Sequence, residues 1–296
     1  MQKSQNKLYK KIKHIFEYLA FLLFFYGLRL LGLERSASLC SFILRKVGYK
    51  LKATKTARKN LQKTFGDNID IDKTIDGLLD NFGHYIGEFP FINHLSEAQL
   101  QQRTEIIGYD KVKYYQENKQ PFILCLGHFA NWDFLIRNIK KAYPRFVIIY
   151  RKANNPYIDA AVLKLRQEEN IVLIAKGAGG VKNLIREIRA GSSIAMLVDQ
   201  KMNDGIEVPF LGRPAMTADA IAKLSLQYNY PIIPCQVIRK KGSNFKIILH
   251  DPIEYTKTGN MRDDCYNIML KINKHIESWV KENPEQWFWF HNRWKN

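Results

Sequence analysis

Residues 121–133, Pro-Phe-Ile-Leu-Cys-Leu-Gly-His-Phe-Ala-Asn-Trp-Asp, hold a histidine and a carboxylate at a spacing that can do proton chemistry. His128 follows an apolar run and Gly127, and Asp133 stands five residues further on. An imidazole held by a carboxylate is a general base with its orienting partner, the pair that strips a proton from an alcohol. Spacing alone decides little, because seven histidines and 28 acidic residues in 296 make one such pair unsurprising. The other histidines (His14, His84, His94, His250, His275 and His291) have no acid at that offset. A loop histidine satisfied by a neighbour is the plain alternative at this point.

The elements that must carry these groups are legible in the apolar pattern. The run 122–126, bounded by Pro121 and Gly127, reads as a buried strand. Strand carboxyl ends in an α/β sheet are where ligands and catalytic groups collect. His128 follows this strand, Arg151 follows the run 146–150, and Asp199-Gln200 follow the run 193–198. If those strands are neighbours, the polar groups converge on one sheet edge. Arg151 presents a fixed fork of donors suited to a phosphate, or it pairs with Asp159. Asp199 is a site residue or a strand-end cap.

Around these strands the pattern alternates. Helices are expected over 155–168, 180–189, 217–228 (capped by Thr217) and 263–282, and further strands over 171–174, 232–238 and 245–249. Residues 36–118 read as mainly helical. The fold class is therefore α/β, a largely parallel sheet flanked by helices, with no linker dividing it.

The chain carries a formal charge of +18, which calls for a polyanionic partner: nucleic acid, an anionic membrane surface, or an acidic carrier or substrate. Four cysteines (Cys40, Cys125, Cys235, Cys265) form no CxxC or metal-ligand grouping, so a reducing compartment is favoured and no metal is expected. Near the start, Lys3, Lys7, Lys10, Lys11 and Lys13 precede an apolar stretch, 15–33. Its uncharged heart, 18–28, is bracketed by Glu17 and Arg29 and falls short of the roughly 20 residues of a spanning helix. Residues 35–59 are basic again. Cations on both sides favour a helix lying in an anionic leaflet over one crossing it. This reading divides the chain into an anchoring segment, 1–35, and a catalytic domain, 36–296.

No Gly-x-Ser-x-Gly elbow, Walker loop, Gly-x-Gly-x-x-Gly or His-Glu-x-x-His pattern is present. With no obvious nucleophile, direct attack by a bound hydroxyl deprotonated by His128 is the simpler chemistry.

Several blocks in order carry a resemblance: Gly127-His-Phe-x-Asn-Trp-Asp133, Tyr150-Arg-x-x-x-Asn-Pro156, Val198-Asp-Gln200, Val208-Pro-Phe-x-Gly-x-Pro-Ala-x-Thr217, and 284–295, with Ala57-Arg-Lys-Asn-Leu61 before them. Together they resemble the late lipid A acyltransferases. The resemblance implies a glycerolipid-acyltransferase-like fold and an enzyme on the cytoplasmic face of the inner membrane. It implies transfer of a fatty acyl chain from acyl carrier protein or coenzyme A to a hydroxyl of a lipid A precursor. The thioester is a co-substrate, and no cofactor is implied. His128 and Asp133 take the catalytic positions; Arg151, Asp199, Gln200 and Asn131 take substrate-binding ones. An anionic glycolipid, a membrane surface and an acidic carrier all suit the charge, and nucleic acid is not expected. Hydrolysis of the thioester, or transfer to another glycolipid or phospholipid, is the alternative.

The last block, Trp287-Phe-Trp-Phe290 with Trp294, suits either a membrane–water interface or packing on the sheet. Period-two alternation puts Trp287 and Trp289 on one side and Phe288 and Phe290 on the other.

Overall fold

The computed structural model describes residues 2–139, 144–167 and 170–294, with backbone alone at 2–7, 139 and 178. The expected helix end at Glu168, and Lys295, lie outside the described residues. The first third is helical: α1 (Gln2–Leu31), α2 (Leu33–Val47), α3 (Lys52–Phe65), α4 (Ile71–Glu88) and α5 (Glu97–Arg103). Local chemistry sets the starts. Asp70 accepts from Lys73 N–H at 2.9 Å ahead of α4, and Ser96 and Gln99 form a reciprocal capping box on α5.

Then the alternation begins: β1 (Thr104–Ile107), α6 (Tyr109–Glu117), β2 (Ile123–Leu126), α7 (Trp132–Ile139), β3 (Phe146–Tyr150), α8 (Pro156–Arg166), β4 (Ile171–Ala175), α9 (Ala178–Arg189) and β5 (Ser193–Leu197). A hairpin of β6 (Lys201–Phe210) and β7 (Arg213–Thr217) follows, then α10 (Ala220–Tyr228), β8 (Ile232–Arg239), β9 (Phe245–Leu249) and α11 (Met261–Glu282). Among the described residues the main sheet has the order β1-β9-β8-β2-β5-β3-β4, parallel except for the β8–β9 pair. Its central strand, β2, is buried at every residue, as an apolar run flanked by helices requires.

Three features differ from the sequence reading. Helix α10 starts at Ala220, not at Thr217, whose hydroxyl instead donates to Ala215 O and accepts from Arg293. Strand β1 lies inside the stretch read as helical; it is four residues long and largely exposed, so it lacks an apolar run. The β6–β7 hairpin was not anticipated, because its Gly205 and charged residues hide the strand pattern.

Helix α1 does not stand apart from the domain. Asn155 at the cap of α8 donates to His14 O and to Glu17, and the Tyr18 and Tyr157 rings lie 6.0 Å apart. Further along, Phe25 meets Phe89, and Arg29 hydrogen-bonds His94 at 2.8 Å. Its stretch Leu8–Leu31, 24 residues, is long and apolar enough to cross a membrane by length and composition.

Candidate active site

His128 lies two residues past β2, and Asp199 two residues past β5, and these strands pair in parallel with Leu126 opposite Leu197. Continuing that register puts His128 opposite Asp199. The imidazole Nδ1 lies 2.6 Å from Asp199 Oδ1, and the His128 backbone N–H donates to Oδ2 at 2.7 Å. A third donor, the Trp287 indole N–H, reaches Oδ2 at 2.7 Å. Asp199 is fully enclosed. Burial alone would raise its carboxyl, but the imidazole, the backbone N–H and the indole outweigh burial and hold it below the ordinary carboxylate range. An ionised Asp199 fixes the proton on Nδ1, which leaves Nε2 as an acceptor. Gln200 Nε2 lies 3.2 Å from that nitrogen.

The sequence points to Asp133 as the partner of His128; the structure puts Asp199 there. Helix α7 begins at Trp132, and from its first turn Asp133 faces a different group. Its Oδ2 accepts from the Tyr85 hydroxyl and from Arg166, each at 2.7 Å. Tyr85 is half-buried, and desolvation of its hydroxyl with the adjacent Asp133 charge pushes that hydroxyl well above the ordinary range. Burial opposes the Arg166 charge, but Asp133 and Tyr85 outweigh it, so that guanidinium is held above its ordinary value.

Asn131 is also placed differently from the sequence reading. It is fully buried, its amide N–H donates to Glu88 at 2.6 Å, and its oxygen caps α7 by accepting from Phe134 N–H at 2.9 Å. With both ends used inside the protein, it shapes the loop and does not face a substrate. Glu88 pairs in turn with the buried Arg239, which also hydrogen-bonds Asn81 at 2.8 Å. Arg151 follows β3, the neighbour of β5, so the three strand ends do share one edge. Arg151 is exposed. Asp159, its candidate partner, accepts from Ala153 N–H instead.

The loop carrying His128 is clamped by the chain's end. Phe129 bridges Trp287, Phe288 N–H donates to His128 O at 3.0 Å, and Ala130 N–H donates to Gln286 O at 3.0 Å. Ala130 is held at φ 42, a left-handed conformation that costs a non-glycine residue energy and persists only where surroundings enforce it. The expected alternation holds: Trp287 and Trp289 are buried, while Phe288 and Phe290 are partly open. Beside the imidazole stands an aromatic wall. Trp132 and Phe288 lie 5.0 and 6.1 Å from the His128 ring, with Tyr85 stacked on Trp132 at 4.4 Å.

Cys125 on β2 and Cys235 on β8 come close to the site, but burial pushes both thiols far up, so neither is a nucleophile at neutral pH. Among the described residues no cluster of three or more His, Cys, Asp or Glu is arranged to hold a metal. Residues that the sequence did not single out are Tyr85, Arg166, Glu88 and Arg239. They lie 33 to 158 positions from their partners, and no local pattern marks them.

A sequence model of the bacterial lipid A biosynthesis acyltransferase family matches residues 2–296. The chain belongs to that family. It is 23% identical over 203 residues to the lipid A biosynthesis lauroyltransferase of Escherichia coli, a match covering 67% of this chain and 64% of that protein. It is 24% identical to a lipid A biosynthesis acyltransferase of Haemophilus influenzae, covering 82% of this chain and 76% of the relative. The lipid A biosynthesis palmitoleoyltransferase of E. coli is 20% identical over 81% of this chain. A crystal structure of the 1-acyl-sn-glycerophosphate acyltransferase of Thermotoga maritima aligns over 85% of this chain and 96% of its own, at 13% identity and a TM-score of 0.40. That likeness is too remote to transfer a residue or a role. In this member of the lipid A biosynthesis acyltransferase family, the matched span takes in both the His128 loop and the aromatic terminus that clamps it.

Proposed function

We propose that the protein transfers a fatty acyl group from a thioester, carried by acyl carrier protein or coenzyme A, to a hydroxyl of a lipid A precursor at the cytoplasmic face of the inner membrane. The observation that carries this reading is the His128–Asp199 dyad, whose Nδ1 is occupied by the carboxylate and whose Nε2 is left to accept a proton. The acceptor hydroxyl gives its proton to Nε2 as its oxygen attacks the thioester carbonyl. The tetrahedral adduct collapses by breaking the carbon–sulfur bond, and the leaving thiolate takes the proton from the imidazolium. Asp199 stabilises that imidazolium between the two steps, the part a buried carboxylate plays behind a histidine base.

The other groups fit around this chemistry. Gln200 lies against Nε2 and is placed to position the hydroxyl. Trp132 and Phe288 offer an apolar wall for the acyl chain. Arg151, exposed on the same strand edge, suits a phosphate of an anionic glycolipid. Asp133 acts at one remove, by holding Arg166 and the Tyr85 ring that stacks on Trp132. An excess of 18 positive charges favours an acidic carrier and an anionic leaflet alike.

The test uses a labelled acyl thioester with and without a lipid A precursor in detergent. Label appearing on the lipid, and lost in His128→Ala, supports transfer. Release of free fatty acid at the same rate with and without lipid would replace transfer with hydrolysis.

A further inference from the structure

Helix α2 carries a second apolar face that none of the described residues covers. Leu39, Phe42, Ile43 and Val47 are 41%, 61%, 47% and 51% exposed, and their offsets of three, four and eight place them on one side of the helix. Such a stripe would be ordinary if α2 could turn it inward, but the opposite side is already committed. Ser36, Ala37, Cys40 and Ser41 are buried against α4. The approach is close enough that a Cβ on Gly83 would meet Ser41 Cα at 2.3 Å, and one on Gly87 would meet Ser36 O at 2.4 Å. Ser36 Oγ donates to Gly87 O at 2.7 Å and Ser41 Oγ to Asp80 at 2.5 Å. These contacts fix the rotation of α2, so the stripe faces outward by construction.

What surrounds the stripe names its occupant. Arg35, Lys46, Lys50 and Lys52 are exposed around it, and Lys46 lies over the Phe42 ring at 5.7 Å. The only acid of α2, Glu34, is paired with Arg103. Exposed apolar residues also flank the stripe in sequence: Leu30 of α1, 89% exposed, precedes it, and Leu51, 47% exposed, follows it. An apolar helix face rimmed by lysine and next in sequence to a long apolar helix matches the acyl boundary and headgroups of an anionic bilayer. An acidic protein surface would satisfy the lysines and leave the stripe wet.

We infer that α2 is a membrane-seating helix that docks the catalytic domain itself onto an anionic leaflet, in addition to α1. The domain is then held by two helices, and its attachment on the α2 side is apolar and insensitive to salt. This goes beyond the proposed acyl transfer and does not depend on it.

An environment-sensitive fluorophore on a single introduced cysteine tests the seating without any catalytic assay. The four native cysteines are buried, so labelling of the folded chain is directed to the new one. Phe42→Cys and Ile43→Cys are compared with Glu117→Cys, an exposed position on α6. On adding vesicles of anionic phospholipid, emission at 42 and 43 is expected to shift to the blue while that at 117 does not. The shift should persist at 1 M salt, where charges are screened beyond about 3 Å. Emission at 42 and 43 that stays as in water while the protein co-sediments with the vesicles would overturn the inference and leave α1 as the sole contact. A blue shift already present without lipid and rising with protein concentration would also overturn it, because a second copy of the chain then covers the stripe.

Discussion

The Trp287 indole N–H and Asp199 Oδ2 lie 2.7 Å apart across 88 positions of sequence, so the aromatic segment near 287 supplies one of three donors to the carboxylate that faces His128. The same segment bridges Phe129 and donates to His128 O. Burial of Trp287 is therefore more than packing. Trp287→Phe keeps a ring and removes the donor, and a hydrogen bond to a charged group contributes about 1.5–3 kcal/mol. We expect kcat to fall by about tenfold, with KM for the lipid little changed, since about 1.4 kcal/mol of lost transition-state stabilisation is tenfold in rate. Steady-state kinetics decide it; a wild-type kcat would mean that the two His128 contacts suffice to hold Asp199.

Asp199 and Asp133 should separate in their effects. Asp199→Asn removes the charge behind the imidazole and lets the wrong tautomer form, so kcat should drop by roughly 10² to 10⁴. Asp133→Asn leaves His128 and Asp199 untouched but strands Arg166. It should lower the melting temperature and reduce kcat less than Asp199→Asn does. Equal kcat losses in both variants, with equal melting temperatures, would return Asp133 to the imidazole as its working partner.

The sheet was largely legible because its strands announce themselves. Runs such as 146–150 are apolar on every residue, as buried parallel strands are, and their polar followers gave the strand-end set of His128, Arg151 and Asp199. Which carboxylate meets His128 was not legible, since it depends on β2 lying beside β5 in a given register. The His128-to-Asp133 spacing is local and conspicuous, whereas Asp199 lies 71 positions away. Asn131 misled for a similar reason: its role is a cap and a link to Glu88, visible only once α4 packs below the loop. Strand β1 escaped because an edge strand of four exposed residues has no apolar pattern to read.

Beneath the His128 loop, Glu88 and Arg239 form an ion pair with both side chains nearly fully enclosed, and Asn81 and Asn131 take up further hydrogen bonds. Removing one partner of such a pair leaves a buried charge alone, at a cost of about 3–5 kcal/mol. Arg239→Met should therefore destabilise the fold strongly, while Glu88→Gln with Arg239→Met should recover part of the loss. Chemical denaturation of the single and double variants measures the coupling. Additive losses would mean that the pair does not act as a unit.

Arg151 offers a choice between a forked contact and bulk charge. It is exposed at the end of β3, beside the strand that carries Asp199. Arg151→Lys keeps the charge and loses the bidentate fork. KM for a phosphorylated acceptor should rise several-fold, against little change for a dephosphorylated one, each assayed in detergent. Identical KM values in wild type and variant would assign the position to general electrostatics.

Acid sensitivity should come first from buried imidazoles. Burial holds His250 and His275 below the ordinary histidine value of 6.5, and His250 is lowered further by His275 and Lys111, with Asp251 opposing. The His250 ring stacks on Trp279 and lies 5.7 Å from the His275 ring, so protonating either puts charge into a half-buried cluster. Between the folded and unfolded values the unfolded chain binds more protons than the native one, so stability rises with pH there. It is lost as pH falls below about 6.5, and the loss levels off once the native rings are protonated. The carboxyls of Asp199 and Glu187 are held below the ordinary carboxylate range, Asp199 against its burial by His128 and Trp287 and Glu187 by Arg145, so their titration moves away from this window. His94 and His291 are lowered by burial too and should supply the remainder of the slope. Urea unfolding followed from pH 7 to about 5 should show a falling midpoint, and His250→Gln with His275→Gln should flatten that fall. An unchanged slope in the double variant would show that the cluster opens to water before it takes up a proton.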